Sequence, residues 1–188
     1  MGRKILFLGP PGAGKGTQAT MLARALGVPH ISTGVMLRQA VSDGTDLGRQ
    51  AEAIMKAGDL VPDDLVVAMV AERLSSDDAV CGYLLDGFPR NVAQAEALDA
   101  ATGEGALEVA LLLSADEDEL VARLLNRARE EGRSDDNEET IRNRQAVYRR
   151  ETEPLVSYYP DRGVGVVEVD GMGSIDEVFA RIARALAE

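Results

Sequence analysis

With 188 residues, 45% of them apolar and 28% charged, the chain has the size and composition of one globular domain and not of a disordered segment. A formal net charge of −12, from 20 Lys+Arg against 32 Asp+Glu, supplies no global field for nucleic acid or an anionic membrane, and a single cysteine, Cys81, excludes an intrachain disulfide or a cysteine-cluster zinc site. The first apolar run is too short for a signal-peptide core or a membrane span, so the expectation is a soluble, cytoplasmic protein with neither membrane nor nucleic-acid partners.

Residues 5–8 form an apolar run that ends at Gly9 and reads as a buried strand; residues 19–26 have helical spacing at Met21, Leu22, Ala25 and Leu26. Residues 30–32 are a short second strand. Three helical stretches fill 37–75, broken at Gly44 and at 58–62, with no strand pattern among them. A strand at 83–86 and a helix at 94–101 follow, then the strongest strand pattern of the chain at 109–113 and a helix at 116–129. After a polar break at 130–137 the pattern is helical over 138–159 around Pro154, a strand at 164–169 comes next, and a helix at 174–186 closes the chain. Strands alternating with helices predict an α/β fold, a parallel sheet of about five strands with helices on both faces. Ligands of such sheets bind beyond the strand carboxyl ends. Four loops, GPPGAGKGT, STG, DGFPR and DGMG, each follow a predicted strand and therefore gather on that edge.

The first of these loops, Gly9 to Thr17, joins a strand to a helix, the context a phosphate-binding loop requires. Its glycines let backbone N–H groups converge on an anion at a helix N-terminus, and Lys15 adds a mobile cation. The strict G-x-x-x-x-G-K-[ST] pattern is missed by one residue, because Gly16 follows Lys15 and the hydroxyl arrives at Thr17. The loop points to a nucleoside phosphate without naming a reaction. Eight of the seventeen arginines fall between Arg123 and Arg150, which reads either as local capture of a small polyanion or as a solvated helix face.

The GPPGAGKGTQ spelling resembles nucleoside monophosphate kinases. With STG and Met36-Leu37-Arg38, GDLVPD at 58–63, DGFPRNVAQA at 86–95, RLLNR at 123–127 and GRSDDNEETIRNR at 132–144, the chain resembles the adenylate kinase family in motif order and spacing, from Ile5 to the final helix. The resemblance implies a P-loop NTPase-like single domain over 1–188, with a helical monophosphate-binding insertion at 32–62 and a short lid at about 127–137. It implies transfer of the terminal phosphoryl group of ATP to AMP, giving two ADP, with Mg²⁺ on the ATP phosphates, in a monomer. Gly12, Ala13, Gly14, Lys15, Gly16, Thr17, Arg123, Arg127 and Gly173 would bind ATP, with Arg123 stacking on its adenine. Thr33, Arg38, Asp59, Leu60, Val61, Gly87, Arg90, Gln94, Arg133 and Arg144 would bind AMP. Lys15, Arg90, Arg127, Arg133 and Arg144 would surround the transferred group, and Asp86 would reach the metal through water.

Elementary chemistry agrees with such a set, because phosphoryl transfer depends on positioning and on cations around moving charge. Arginine, a planar fork of donors that also stacks, suits these positions. Arg129, Arg142, Arg149 and Arg150 are expected to be solvated helix charges, and the lone His30 a structural residue beside a strand. Asp135 or Asp136 either orients the lid arginines or caps the helix that follows. Thr33 and Gln94 resemble adenylate kinases, whereas UMP/CMP kinases typically have alanine and asparagine in these regions; a Gln amide can accept from the adenine amino group and donate to a ring nitrogen. One departure stands out. Where family members read STGD or STGE, this chain has Val35, which either leaves the metal's water shell without a carboxylate or packs its methyls under the neighbouring helix.

Overall fold

The computed structural model describes residues 3–102, 107–132 and 136–187. The strands β1 (Lys4–Leu8), β2 (His30–Ser32), β3 (Tyr83–Asp86), β4 (Val109–Ser114) and β5 (Gly165–Asp170) form one wholly parallel sheet in the order β2-β3-β1-β4-β5. Central β1 reads as an unbroken apolar run because both of its faces are covered. Leu6 and Leu8 pack on one side with Ile31, Leu85 and Ala110, and Ile5 and Phe7 pack on the other with Leu84, Leu111 and Leu113. Register sets Asp86 beside Phe7 of β1 and Ser32 of β2, at the carboxyl edge.

The helices are α1 (Lys15–Leu26), α2 (Thr33–Ser42), α3 (Asp46–Ala57), α4 (Asp63–Leu74), α5 (Val92–Thr102), α6 (Glu117–Glu131), α7 (Glu138–Val147), α8 (Leu155–Tyr158) and α9 (Ile175–Ala185). The three predicted helical stretches between β2 and β3 are α2, α3 and α4. Thr45 caps α3 by accepting from the Gly48 N–H, and α2 and α3 then meet backbone to backbone: a Cβ on Gly48 would sit 2.0 Å from the Ala40 carbonyl oxygen. At α9, Ser174 and Glu177 form a reciprocal capping box.

Three expectations change. Thr33 and Gly34, expected in a loop after the second strand, are the first residues of α2, which follows β2 directly. Helix α1 begins at Lys15, inside the glycine loop, because the left-handed Gly14 at φ +87° turns the chain directly into it. The single helix expected over 138–159 is instead α7, a widened π turn at Tyr148–Thr152, and α8. Pro154 has no N–H for the Arg150 carbonyl and its ring crowds that oxygen; just ahead of it the Glu153 N–H reaches back to the Tyr148 carbonyl at 2.9 Å.

Candidate active site

The glycine loop approaches the end of β4 and the first turn of α6 so closely that two of its positions exclude a side chain. A Cβ on Gly9 (φ +136°) would lie 2.4 Å from the Leu113 carbonyl oxygen, and one on Gly12 (φ +91°) 2.7 Å from that of Leu120. Ala13, Gly14, Gly16 and Thr17 line the resulting cleft. Lys15 Nζ donates to the carbonyls of Gly9 at 2.6 Å and Pro10 at 2.8 Å. Burial pushes its ammonium down to about 8, an effect partly offset by nearby Asp86 and reinforced by Arg90, Arg144 and Arg127.

Asp86, 8% exposed, forms the floor beneath this loop. Ser32 Oγ donates to its Oδ2 at 3.3 Å, and His30 Nε2 lies 3.3 Å from the same oxygen, with Thr20 Oγ1 at 3.3 Å from His30 Nδ1. Burial favours the neutral acid, but the His30 hydrogen bond and the charges of Lys15 and Arg90 outweigh it and hold the carboxyl below its ordinary value. His30 is therefore more than a residue beside a strand: it lines the cleft and braces Asp86. The two are 56 positions apart, and only the β2–β3 pairing brings them together.

At the other end the cleft narrows to a pocket lined by Thr33, Arg38, Asp59, Leu60, Val61, Gly87, Arg90, Gln94 and Arg144. Thr33 Oγ1 and Arg90 Nε both donate to the Gly87 carbonyl, at 2.7 and 2.8 Å, so the Thr33 hydroxyl spends its proton on the loop. Gly87 has φ +77°, and a Cβ there would stand 3.0 Å from Thr33 Oγ1 and 3.2 Å from an Arg90 nitrogen. Gln94 is 1% exposed; its Oε1 accepts from Arg90 N at 2.7 Å and its Nε2 donates to Asp63 Oδ1 at 2.6 Å. Asn91 Nδ2 donates to both oxygens of Asp63, and Asn91 Oδ1 accepts from Gln94 N at 2.8 Å, capping α5. Sequence reasoning missed Asp63 and Asn91; an acid after Pro62 reads only as a favourable charge at a helix start.

The arginines meet on one buried carboxylate. Asp136, whose side chain is fully buried, accepts from Arg127 Nε at 2.7 Å and Nη2 at 2.8 Å, and from Arg144 Nη1 at 2.6 Å. Asp136 thus orients the arginines, while the cap of α7 falls to Asn137, which accepts from the Thr140 N–H. Arg133 and Asp135 lie outside the described residues. Arg123 donates to Glu119 at 2.9 Å and to the Gly171 carbonyl at 3.1 Å, beside Gly173 in the cleft wall. Helix α7 also reaches the other parts: Gln145 donates to the Pro11 carbonyl, Thr140 to that of Lys56, and Asn143 to the Ala57 carbonyl and Asp59 Oδ1. Arg142, Arg149 and Arg150 pair with Glu138, Glu117 and Glu151 at the surface, and Arg129 is exposed, all as solvated helix charges. The cleft beside the phosphate loop, apart from the narrow pocket, has a volume of about 830 Å³. Val35 stands on its wall, 57% exposed, so its methyls are not packed under a helix.

A glycine loop closed around a lysine at the carboxyl edge of a parallel sheet, facing a cleft walled by arginines, defines a P-loop NTPase-like nucleotide-binding fold. The family model for adenylate kinase matches residues 7–164. Curated adenylate kinases are similar along their whole length: that of Kocuria rhizophila is 55% identical over 97% of this chain and 98% of its own. The Thermobifida fusca protein is 54% identical over 97% of each chain, and that of Thermus thermophilus 54% identical over 99% of this chain and 98% of its own. The chain belongs to the adenylate kinase family.

Proposed function

We propose that the protein reversibly transfers the terminal phosphoryl group of Mg-ATP to AMP, giving two ADP, and so balances the adenine nucleotide pool. The observation that carries this reading is the Asp136 clamp. It holds together Arg127, which lines the cleft of the phosphate loop, and Arg144, which lines both that cleft and the narrow pocket. A single-nucleotide hydrolase has no use for a second compartment tied to the first through one buried carboxylate.

In this reading Gly12, Ala13, Gly14, Gly16 and Thr17 cradle the ATP phosphates with backbone N–H groups, and Lys15 releases its loop carbonyls for the outer phosphates. Arg123 and Gly173 flank the ATP base. Arg38 and Arg90 hold the AMP phosphate, Thr33 and Gly87 shape its loop, Asp59, Leu60 and Val61 form the wall, and Gln94 faces the base. Lys15, Arg90, Arg127, Arg133 and Arg144 neutralise charge as it moves from donor to acceptor, which leaves no covalent work for the protein. The arm at 32–62 closes over AMP and the segment at about 127–137 acts as a short lid.

The oxygen donors suit Mg²⁺, a hard ion that keeps several of its waters: Thr17, Ser32 and Asp86 line one part of the cleft, with Asp86 held anionic. Thr17 would ligate it and Asp86 would hold its waters; when bound it supplies neutralisation of the phosphate oxygens. In this reading one chain supplies the residues for both substrates, in keeping with a monomer, and the proposed setting is the cytoplasm. No described helix is long and apolar enough to cross a membrane.

Turnover at fixed Mg-ATP against a panel of AMP, CMP and UMP tests the reading. AMP is expected to be preferred by at least an order of magnitude; equal rates, or preference for a pyrimidine, contradict it.

A further inference from the structure

Gln94 presents the only side-chain amide of the narrow pocket among the described lining residues, and both of its ends are already used once. The partners have fixed polarity. The Arg90 N–H can only donate, and it lies 2.7 Å from Gln94 Oε1. A carboxylate oxygen of Asp63 can only accept, and it lies 2.6 Å from Gln94 Nε2. Reversing the amide would set two N–H groups against each other at one end and two oxygens, one of them anionic, at the other. Asp63 is held in place by Asn91 Nδ2, at 3.0 and 3.1 Å from its two oxygens. The orientation of Asn91 is fixed in turn, since its Oδ1 accepts the Gln94 N–H at 2.8 Å.

A primary amide has two N–H donors and two acceptor lone pairs. One of each is consumed, leaving one donor on the Asp63 side and one acceptor on the Arg90 side. We propose that Asp63 is a specificity-determining positioning residue: it locks the Gln94 amide in the one polarity that matches a 6-aminopurine and mismatches a 6-oxopurine. The 6-aminopurine edge has an amino donor beside a ring-nitrogen acceptor; the 6-oxopurine edge has a carbonyl acceptor beside a ring N–H donor. An amide free to turn over serves either edge, and an amide held by Asp63 serves only the first. The inference rests on the reading above in which Gln94 faces the base of the monophosphate.

The test compares kcat/KM for AMP and for inosine monophosphate in the full-length enzyme, its Asp63→Asn and Asp63→Ala variants, and the same changes made on Gln94→Ala. Asparagine keeps the shape of Asp63 and can donate as well as accept, so the charged half of the lock is lost and the Arg90 half remains. The AMP-to-inosine monophosphate preference is expected to fall about tenfold in Asp63→Asn, as it would if one or two neutral hydrogen bonds were no longer mismatched for the 6-oxopurine. KM for ATP is expected to hold, and in the Gln94→Ala background the same change is expected to leave the preference where Gln94→Ala put it. Equal losses on both monophosphates, or the same change of preference with and without Gln94, would make Asp63 a structural acid of α4 and overturn the proposal. If Gln94→Ala alone leaves the preference untouched, the reading of Gln94 as the base contact is what fails. Asp63→Ala, which removes the repulsion without adding a donor, is expected to shift the preference in the same direction and guards against a folding defect peculiar to asparagine.

Discussion

Lys15 is a cation held in a buried setting among Asp86, Arg90, Arg144 and Arg127. Its amine falls to about 8 from an ordinary 10.5 because burial disfavours the cation. Activity needs the cation, so kcat/KM for ATP, which reports the free enzyme, is expected to decline above about pH 8; a profile flat to about pH 9.5 would contradict the assignment. Stability moves the opposite way. Between about pH 8 and 10.5 the unfolded chain holds a proton at Lys15 that the folded chain has lost, so this residue makes stability rise with pH across that window. Lys15→Met is expected to fold, to be more stable than the native protein at pH 7 by a margin that closes toward pH 10.5, and to retain under a tenth of kcat, a loss of more than about 1.4 kcal/mol. Denaturant melts at three pH values and a coupled assay check these outcomes. Val35 gives the second residue-scale prediction. It is 57% exposed and the first turn of α2 holds no acid, so Val35→Asp costs no packing and adds about 0.3–1 kcal/mol at the helix start. With a second carboxylate on the wall of the cleft that Asp86 lines, kcat in magnesium is expected to rise about three- to thirtyfold. A lower melting temperature with kcat unchanged would show that Asp86 alone serves the metal's waters.

Among the elements, α7 is the one that ties the site together. It carries Arg144, receives the anchor Asp136 at its start, bonds the phosphate loop through Gln145 and satisfies the C-terminal carbonyls of α3 through Thr140 and Asn143. Gly58, left-handed at φ +82°, permits that approach, since a Cβ there would lie 2.9 Å from side-chain carbons of both Arg144 and Thr140. The seam joins the end of α3 to the helix that carries Arg144. Asn143→Ala removes its bonds to Ala57 and Asp59, and is expected to raise KM for AMP about three- to tenfold, roughly 1 kcal/mol, without changing KM for ATP. Equal shifts for both nucleotides would mean that the seam does not belong to the AMP arm. The α2–α3 contact is tighter still: Gly48→Ala forces a methyl into the Ala40 carbonyl and is expected to cost about 3 kcal/mol, read as a lowered melting temperature. In contrast, Arg149→Ala removes only a surface pair with Glu117 and is expected to leave kcat within about twofold, whereas Arg144→Ala lowers it strongly.

On the scale of the whole molecule, an acidic chain of net charge −12 concentrates Lys15, Arg38, Arg90, Arg123, Arg127 and Arg144 along one cleft, at the edge where a parallel sheet exposes its strand ends. The strands were legible because β1 and β4, covered on both faces, are unbroken apolar runs, and the phosphate loop was legible because its glycines answer to local backbone demands. Contacts made between distant segments were not. The His30 brace on Asp86 depends on strand pairing, the Asp63–Gln94 contact joins two helix starts 31 positions apart, and the Asp136 clamp could be told from a helix cap only once Asn137 was seen to do the capping. Pro154 announced a disturbance of its helix but not the wide turn that absorbs it. In the proposed reaction both compartments serve one phosphoryl transfer. Following the label of γ-³²P-ATP in the presence of AMP and magnesium tests it most directly. The label is expected in ADP, one equivalent for each AMP consumed, with none above background as inorganic phosphate; label released as phosphate, or ATP consumption indifferent to AMP, would contradict the account.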